Sequence, residues 1–377
     1  MSRVLGLLTA SLLAAVPAAA APGPAAVDAS YGYRGVVVLR ADVATLTADG
    51  RAVGVRDGLV LERVGLDGRV RRTRALVRGL DVTAIAVRGR TVAVAGRRDG
   101  RGVVAFVRGG SVRALVGAEP PRFPERTFFH LVLDAGGAAY LADYYGEIAR
   151  VDPDGAVDPE WARLDAEITD LAWGPRGLLV LGQRDLGSDV HGFIQYDPFL
   201  ARLDGGGDPD RDFDGDGFVD LGDGETTALL PHRAAALVAT TVCGVFKDSP
   251  CNTFGFRRIG ADGGAGRGAY TPDLTGDVEA LAVERDGDVL AAGLADDRSG
   301  RSSGFWVRRF TGGRRLDRGF GRCGHGAAPH TPPHTAVNRL AVQRSGRIVG
   351  LLGGYDGTPV RPRLMALRGG DARRARC

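Results

Sequence analysis

Apolar residues in this chain fall in short alternating runs paired across a turn, and the pair recurs along its whole length. TDLAWGPRGLLVLG (169–182), EALAVERDGDVLAAG (279–293) and NRLAVQRSGRIVGLLGG (338–354) are one pattern. Weaker copies read VATLTADGRAVGV (43–55), TAIAVRGRTVAVAG (83–96), HLVLDAGGAAYLAD (130–143) and TALLPHRAAALVAT (227–240). Alternation with period two predicts half-buried strands, and the turns between them, such as Asp49-Gly50 and Asp286-Gly287, predict tight two-residue hairpins with both central residues at positive φ. Anchored on Leu46, Ile85, Leu131, Leu171, Leu229, Leu281 and Leu340, the units are spaced by roughly 39, 46, 40, 58, 52 and 59 residues, the signature of a propeller or solenoid.

A third apolar run follows each hairpin after a variable loop, as in VVAFVRGG (103–110), GFWVRRFTGG (304–313) and RPRLMALRGG (361–370), and ends at glycine. A fourth strand beyond it makes a four-stranded antiparallel blade. The expected fold is therefore all-β, a single seven-bladed propeller over 31–372. The chain's last unit stops after its third strand, whereas residues 31–40 read as the end of a unit. This complementarity predicts that residues 31–40 pair with the strand at 361–368, sealing the ring and removing its exposed sheet edges.

Past the third strand lies a second recurring phrase: LDRGFGRCGHG (316–326), DPDRDFDGDGF (208–218), VDPEWARL (157–164) and SYGYRGVVV (30–38), aligned on Phe320, Phe213, Trp161 and Tyr31. With these connectors the chain resembles the delta-60 repeat, a β-propeller repeat of strand, Asp-Gly, strand and a Leu-Asp-x-x-Phe-Gly-x-x-Gly connector. The match is good in repeats four, six and seven, partial in five and faint in the first three. The resemblance implies architecture, since no activity is common to that repeat.

Composition adds limits. Of 377 residues, 44% are hydrophobic and 25% charged, an ordinary globular balance. The net charge of +4 comes from 49 basic residues, nearly all arginine and scattered through every repeat, against 45 acidic ones. That pattern lacks the one-sided clustering of a nucleic-acid footprint. Residues 1–21, with Arg3, an apolar stretch at 4–16 and an alanine run, read as a signal peptide, followed by a short linker at 22–30 and, at the far end, a tail at 373–377. No run reaches the roughly 20 apolar residues of a membrane span. The expectation is a secreted, extracellular monomer. In that oxidising setting Cys243 and Cys251 suit a local disulfide worth about 2 to 3 kcal/mol, leaving Cys323 and Cys377 for each other.

Candidate chemistry is sparse. DFDGDGFVDLGD (212–223) places Asp212, Asp214, Asp216, the Phe218 carbonyl, Asp220 and Asp223 at the positions of an EF-hand count, and is similar to the calcium loops of FG-GAP repeats in integrin-type propellers. Two readings stay open: a structural Ca2+ site, or solvated aspartates of a repeat connector around a buried Phe213. His325, His330 and His334 share a proline-rich segment that reads as a surface loop. On a rigid ring, recognition belongs to loops, and Phe123, Arg126, Tyr144, Tyr145, His191 and Tyr196 are the contact candidates. The inner-strand starts supply His130, Asp170, Glu279 and Asn338 without a uniform acidic or histidine ring. These features favour a non-enzymatic propeller that binds an extracellular protein or glycan. An extracellular enzyme (quinoprotein sugar dehydrogenase-like or lactonase-like) and a structural repeat domain of the cell envelope are the alternatives.

Overall fold

The structure is a computed structural model, and it describes residues 26–56, 60–74, 79–109, 111–117, 129–188, 194–222, 225–232, 235–242, 253–266, 269–271, 278–296, 302–321, 325–329, 335–354 and 361–369. Among these residues every regular element is a strand. The strands form seven antiparallel sheets, six of four strands and one carrying an additional fifth segment. Six of the sheets run inner, second, third and outer strand in chain order, and the inner strands of all seven touch one another in cyclic order. The result is a closed seven-bladed propeller. The seventh blade is completed by Val36–Val38, which pairs antiparallel with Arg363–Leu367 in the register Val36 to Met365, Val37 to Leu364 and Val38 to Arg363. The ring is thus sealed by the two ends of the chain, as the complementary truncation requires.

The hydrophobic core lies between blades. Seven separate clusters each join two neighbouring sheets, from Val53 and Leu61 against Leu80 and Ile85 at the first seam to Leu364 and Val349 against Ala52 and Val64 at the last. Because a blade is covered on both faces, the part of its second strand that lies between neighbours is apolar on both sides, as in Ala139–Ala142, where all four residues are buried. Small residues let the blades approach. A Cβ on Gly350 would come within 2.7 Å of the Phe305 ring from the sixth blade, so the bare backbone there is what lets that phenylalanine bury.

The hairpin turns differ from expectation. At Asp49-Gly50, Gly50 donates to the Thr47 carbonyl and Thr47 to that of Arg51, and only the glycine is left-handed (φ 81°). The same bonds recur around Gly287 and Gly346. This is the three-residue loop built from a type I turn and a glycine bulge, which accepts aspartate in its ordinary right-handed region.

In the fourth, sixth and seventh blades the outer strand is interrupted by the connector, whose geometry is repeated closely. Asp210, Asp317 and Asp28 each donate a backbone N–H to a third-strand carbonyl, from Arg202, Arg309 and Ala366 respectively. The aromatic three residues on, Phe213, Phe320 or Tyr31, donates back to that aspartate's carbonyl at 2.9, 3.0 and 3.0 Å. The next residue is left-handed: Asp214 (54°), Gly321 (60°) and Gly32 (54°). A guanidinium lies over each buried ring, Arg202 at 4.6 Å, Arg309 at 5.0 Å and Arg347 at 5.4 Å, while its Nε donates to the connector aspartate at 2.6, 2.7 and 2.6 Å. The arginine also reaches the next blade, Arg202 bonding the Ala261 carbonyl and Arg347 the Leu66 carbonyl. Each connector is therefore a plug holding an ion pair and a cation–π contact at a seam. In the third blade Trp161, 6% exposed, occupies the outer strand itself and donates to Gly205 of the fourth.

Candidate functional site

The connector accounts for the acidic loop. Asp214 is the left-handed residue after the plug, and its N–H donates to Asp262 of the next blade at 2.7 Å. Asp216 and Asp220 accept from the N–H groups two residues on, Phe218 and Gly222, at 2.9 and 2.6 Å. The Phe218 ring packs at 5.6 Å from Phe199 beneath Arg184. Among the described residues no three carboxylates of Asp212, Asp214, Asp216 and Asp220 come within 4.8 Å of one another. Asp223, all four cysteines, Phe123, Arg126, His191, His330, His334 and the signal segment lie outside the described residues.

Three carboxylates do converge elsewhere: Glu284, Asp286 and Asp288, on the hairpin turn of the sixth blade. Their charge is already engaged. Arg309 lies 3.6 Å from Glu284, and Asp288 accepts from the Gly312 N–H at 2.8 Å. Burial, reinforced by its acidic neighbours, holds the Glu284 carboxyl above the usual range, against the pull of Arg309.

The opposite face carries the inner-strand starts. In four blades the inner strand bulges at the same place, skipping Thr83, Thr169, Thr227 and Asn338 in the register with the second strand. A bulge re-aims the side chains beside it. Immediately after two of these bulges stand Asp170 and Arg339, and they pair across the ring at 3.3 and 3.4 Å, joining the fourth and seventh blades. No two blades of a seven-membered ring are further apart in order, so this ion pair spans the axial mouth. Its aspartate is buried and its guanidinium half exposed. His130, from the third blade, is the next charge-bearing group. Burial pushes its imidazole below the usual range, Asp170 opposes, and Arg339 adds to the lowering.

Beside the mouth is an aromatic patch. Phe129, Tyr144 and Tyr145 are 59%, 40% and 54% exposed, and the two tyrosine rings meet edge-on at 5.5 Å. The turn that carries them is rigid. Buried Asp143 accepts from the Tyr145 and Glu147 N–H groups at 2.9 Å each, and a Cβ on left-handed Gly146 would strike the Leu164 carbonyl at 1.8 Å. The Tyr144 hydroxyl bonds Glu167, which also accepts from Gln183 Nε2 at 3.0 Å. Desolvation first, then that bond and the nearby negative charge, raise the Tyr144 phenol above its ordinary pKa. Tyr196, half buried, is close enough to add to that rise. The Ile168 N–H bonds the Tyr144 carbonyl at 3.1 Å, and the Ile168 backbone also bonds the His130 side chain, which links patch and axial pair.

Three sequence candidates, Tyr144, Tyr145 and Tyr196, are thus brought together. Phe129, Glu167, Gln183 and the partnership of Asp170 with Arg339 were not foreseen. The residue before the anchor leucine in FHL, TDL and NRL was the available signal, since small residues fill that place in other repeats.

No protein-family model matches the chain, and no curated protein sequence matches it. Solved structures do. Virginiamycin B lyase from Staphylococcus aureus superposes with TM-score 0.54 and 11% identity over 88% of this chain and 98% of that one. The WD40 β-propeller domain of Doa1 gives 0.51 and 10% over 91% and 100%, and a chain of the mitotic checkpoint complex 0.53 and 12% over 97% and 98%. An enzyme and two proteins of other names share this architecture at such low identity, so the likeness establishes the propeller fold and leaves the chemistry to the chain's own residues.

Proposed function

We propose that this chain is a secreted, non-enzymatic propeller that binds a glycan through the face carrying the inner-strand starts. The observation that carries the reading is the rigidly held, solvent-facing Tyr144 and Tyr145 pair beside the Glu167 carboxylate and the Gln183 amide. Sugar rings present an apolar C–H face that stacks on an aromatic ring and hydroxyls that need fixed acceptors and donors, and a preformed site loses little entropy on binding. The signal-like start at 1–21 supports export. A second reading, an enzyme acting on the same glycan, is favoured by one observation, the imidazole of His130 close to the Asp170 carboxylate at the axial mouth.

Titration calorimetry against neutral and uronic-acid oligosaccharides tests the proposal. Binding should weaken at least tenfold in Tyr145→Ala, with Tm unchanged because the side chain is exposed. If none of the oligosaccharides binds, or the variant binds like the wild type, the glycan reading fails. Release of new reducing ends that His130→Ala abolishes would replace it with the enzymatic one.

A further inference from the structure

The first blade carries a concentration of arginine that neither the axial mouth nor the aromatic patch uses. Its third strand, Val60–Val64, pairs with its outer strand, Val70–Arg74, in a register that sets Arg63 directly opposite Arg71. Val53 on the second strand lies opposite Arg63, so these arginines stand on the face that Val53, Val55 and Leu61 turn toward the second blade. With Arg51 and Arg69 they line a cleft of about 460 Å³ that also takes in Asp67. Arg51 pairs with Asp49 at 2.6 Å and Arg69 with Asp67 at 3.4 Å. Among the described residues neither Arg63 nor Arg71 makes a close ion pair of this kind, although the charge of Arg71 is felt at Asp67, and Arg63 Nε is buried without a hydrogen-bond partner.

Like charges directly opposite on one face of a sheet repel, and a buried donor left unpaired costs stability. Natural sequences keep such arrangements where a ligand relieves both. We infer that this cleft is a binding site for a tetrahedral oxyanion, a phosphate or sulfate group, bridging the Arg63 and Arg71 guanidiniums. The planar fork of each arginine presents two parallel N–H donors to such an anion. The site is independent of the glycan reading, being built from another blade.

Parallel thermal melts and calorimetric titrations with inorganic phosphate and with inorganic sulfate, each against sodium chloride at matched ionic strength, test the inference. Phosphate, sulfate or both should raise Tm saturably, and the tighter binder identifies which group the site prefers. Arg71→Gln, at an exposed position, should have a higher Tm than the wild type without anion, because the repulsion is gone, and should lose the anion response. Arg63→Gln should lose the response too, and Arg71→Lys should retain part of it. The inference is overturned if chloride reproduces the rise, if neither anion binds, or if Arg71→Gln responds as the wild type does.

Discussion

The connectors at the rim and the strand starts at the axis answer the same repeat in opposite ways. In the connectors of the fourth, sixth and seventh blades the aspartate, the aromatic, the left-handed residue and the arginine recur in one geometry. At the axial mouth, equivalent positions carry His130, Asp170 and Arg339, and no two are alike. Where these three blades need the same thing, a sealed seam, the repeat is obeyed. At the axis one group serves the whole ring, so the residues diverge. Uniformity marks the parts that hold the fold, and departures from it mark where a single-copy function can sit.

The largest effect should come from breaking a connector. Asp210→Ala removes the partner of Arg202, whose side chain is 4% exposed, and stranding a buried guanidinium costs about 3 to 5 kcal/mol. Urea unfolding checks this, and a loss below 1 kcal/mol would show the plug to be incidental. The pair also predicts acid sensitivity. Although burial alone would raise the Asp210 pKa, the bonds from Arg202 and the Asp212 N–H outweigh it and hold the carboxyl below 3.8. Its stabilisation is therefore complete above the unfolded pKa near 3.8 and declines as the pH falls toward the folded value.

The seventh blade sharpens the comparison, because there the third-strand position is Ala366 and the guanidinium comes from Arg347 at the start of the neighbouring second strand. Arg347→Ala should cost somewhat less than the Asp210 change, since Asp28 keeps its bonds from Ser30 and the more distant Arg368. Adding Ala366→Arg, which restores the arrangement of the other two connectors, should recover part of that loss. If the double variant is no more stable than the single one, the equivalence of the three plugs is superficial.

Smaller effects belong to the mouth. Arg339→Gln should change stability by only about 0 to 1 kcal/mol, because the guanidinium is half solvated. Its signature is a titration. The folded His130 has its pKa below 6.5, so between that value and the folded one the unfolded state binds more protons, and stability falls as the pH drops below about 6.5. Removing Arg339 takes away a cation that lowers this pKa and leaves Asp170, which raises it. The NMR titration midpoint of His130 should move up, and the acid-induced loss should shrink. An unchanged midpoint would place the guanidinium too far from the imidazole to matter.

What the sequence disclosed follows the same division. Strand alternation, Asp-Gly turns and the complementary ends were sufficient for seven closed blades, because they are local and repeated. The acidic loop carries two readings in the sequence, since alternate aspartates serve ion cages and side-chain-capped turns equally well. The connector's ion pair falls on Asp210, just before the run counted for calcium. The pairing of Asp170 with Arg339 joins residues far apart in sequence whose meeting depends on ring closure and two bulges. The arginine cleft was hidden for a related reason: VRRTR (70–74) is visibly basic, but only the register sets Arg71 against Arg63 and leaves Arg72 to pair with Glu62.

The smallest predicted change is the finest test of the plug. Tyr31 fills the place that Phe213 and Phe320 fill elsewhere, and its hydroxyl is buried without a hydrogen-bond partner. Burial raises that phenol to about 12, so it stays protonated at any ordinary pH and contributes no charge to the seam. The contact with Arg347 belongs to the ring face, which phenylalanine keeps. Tyr31→Phe exchanges an unsatisfied hydroxyl for the side chain the other connectors use, so stability should be unchanged or improved, within about 0.5 kcal/mol. A loss beyond 1 kcal/mol would mean that the hydroxyl has a partner of its own and that the seventh seam, where the ends of the chain meet, is built differently from the fourth and sixth.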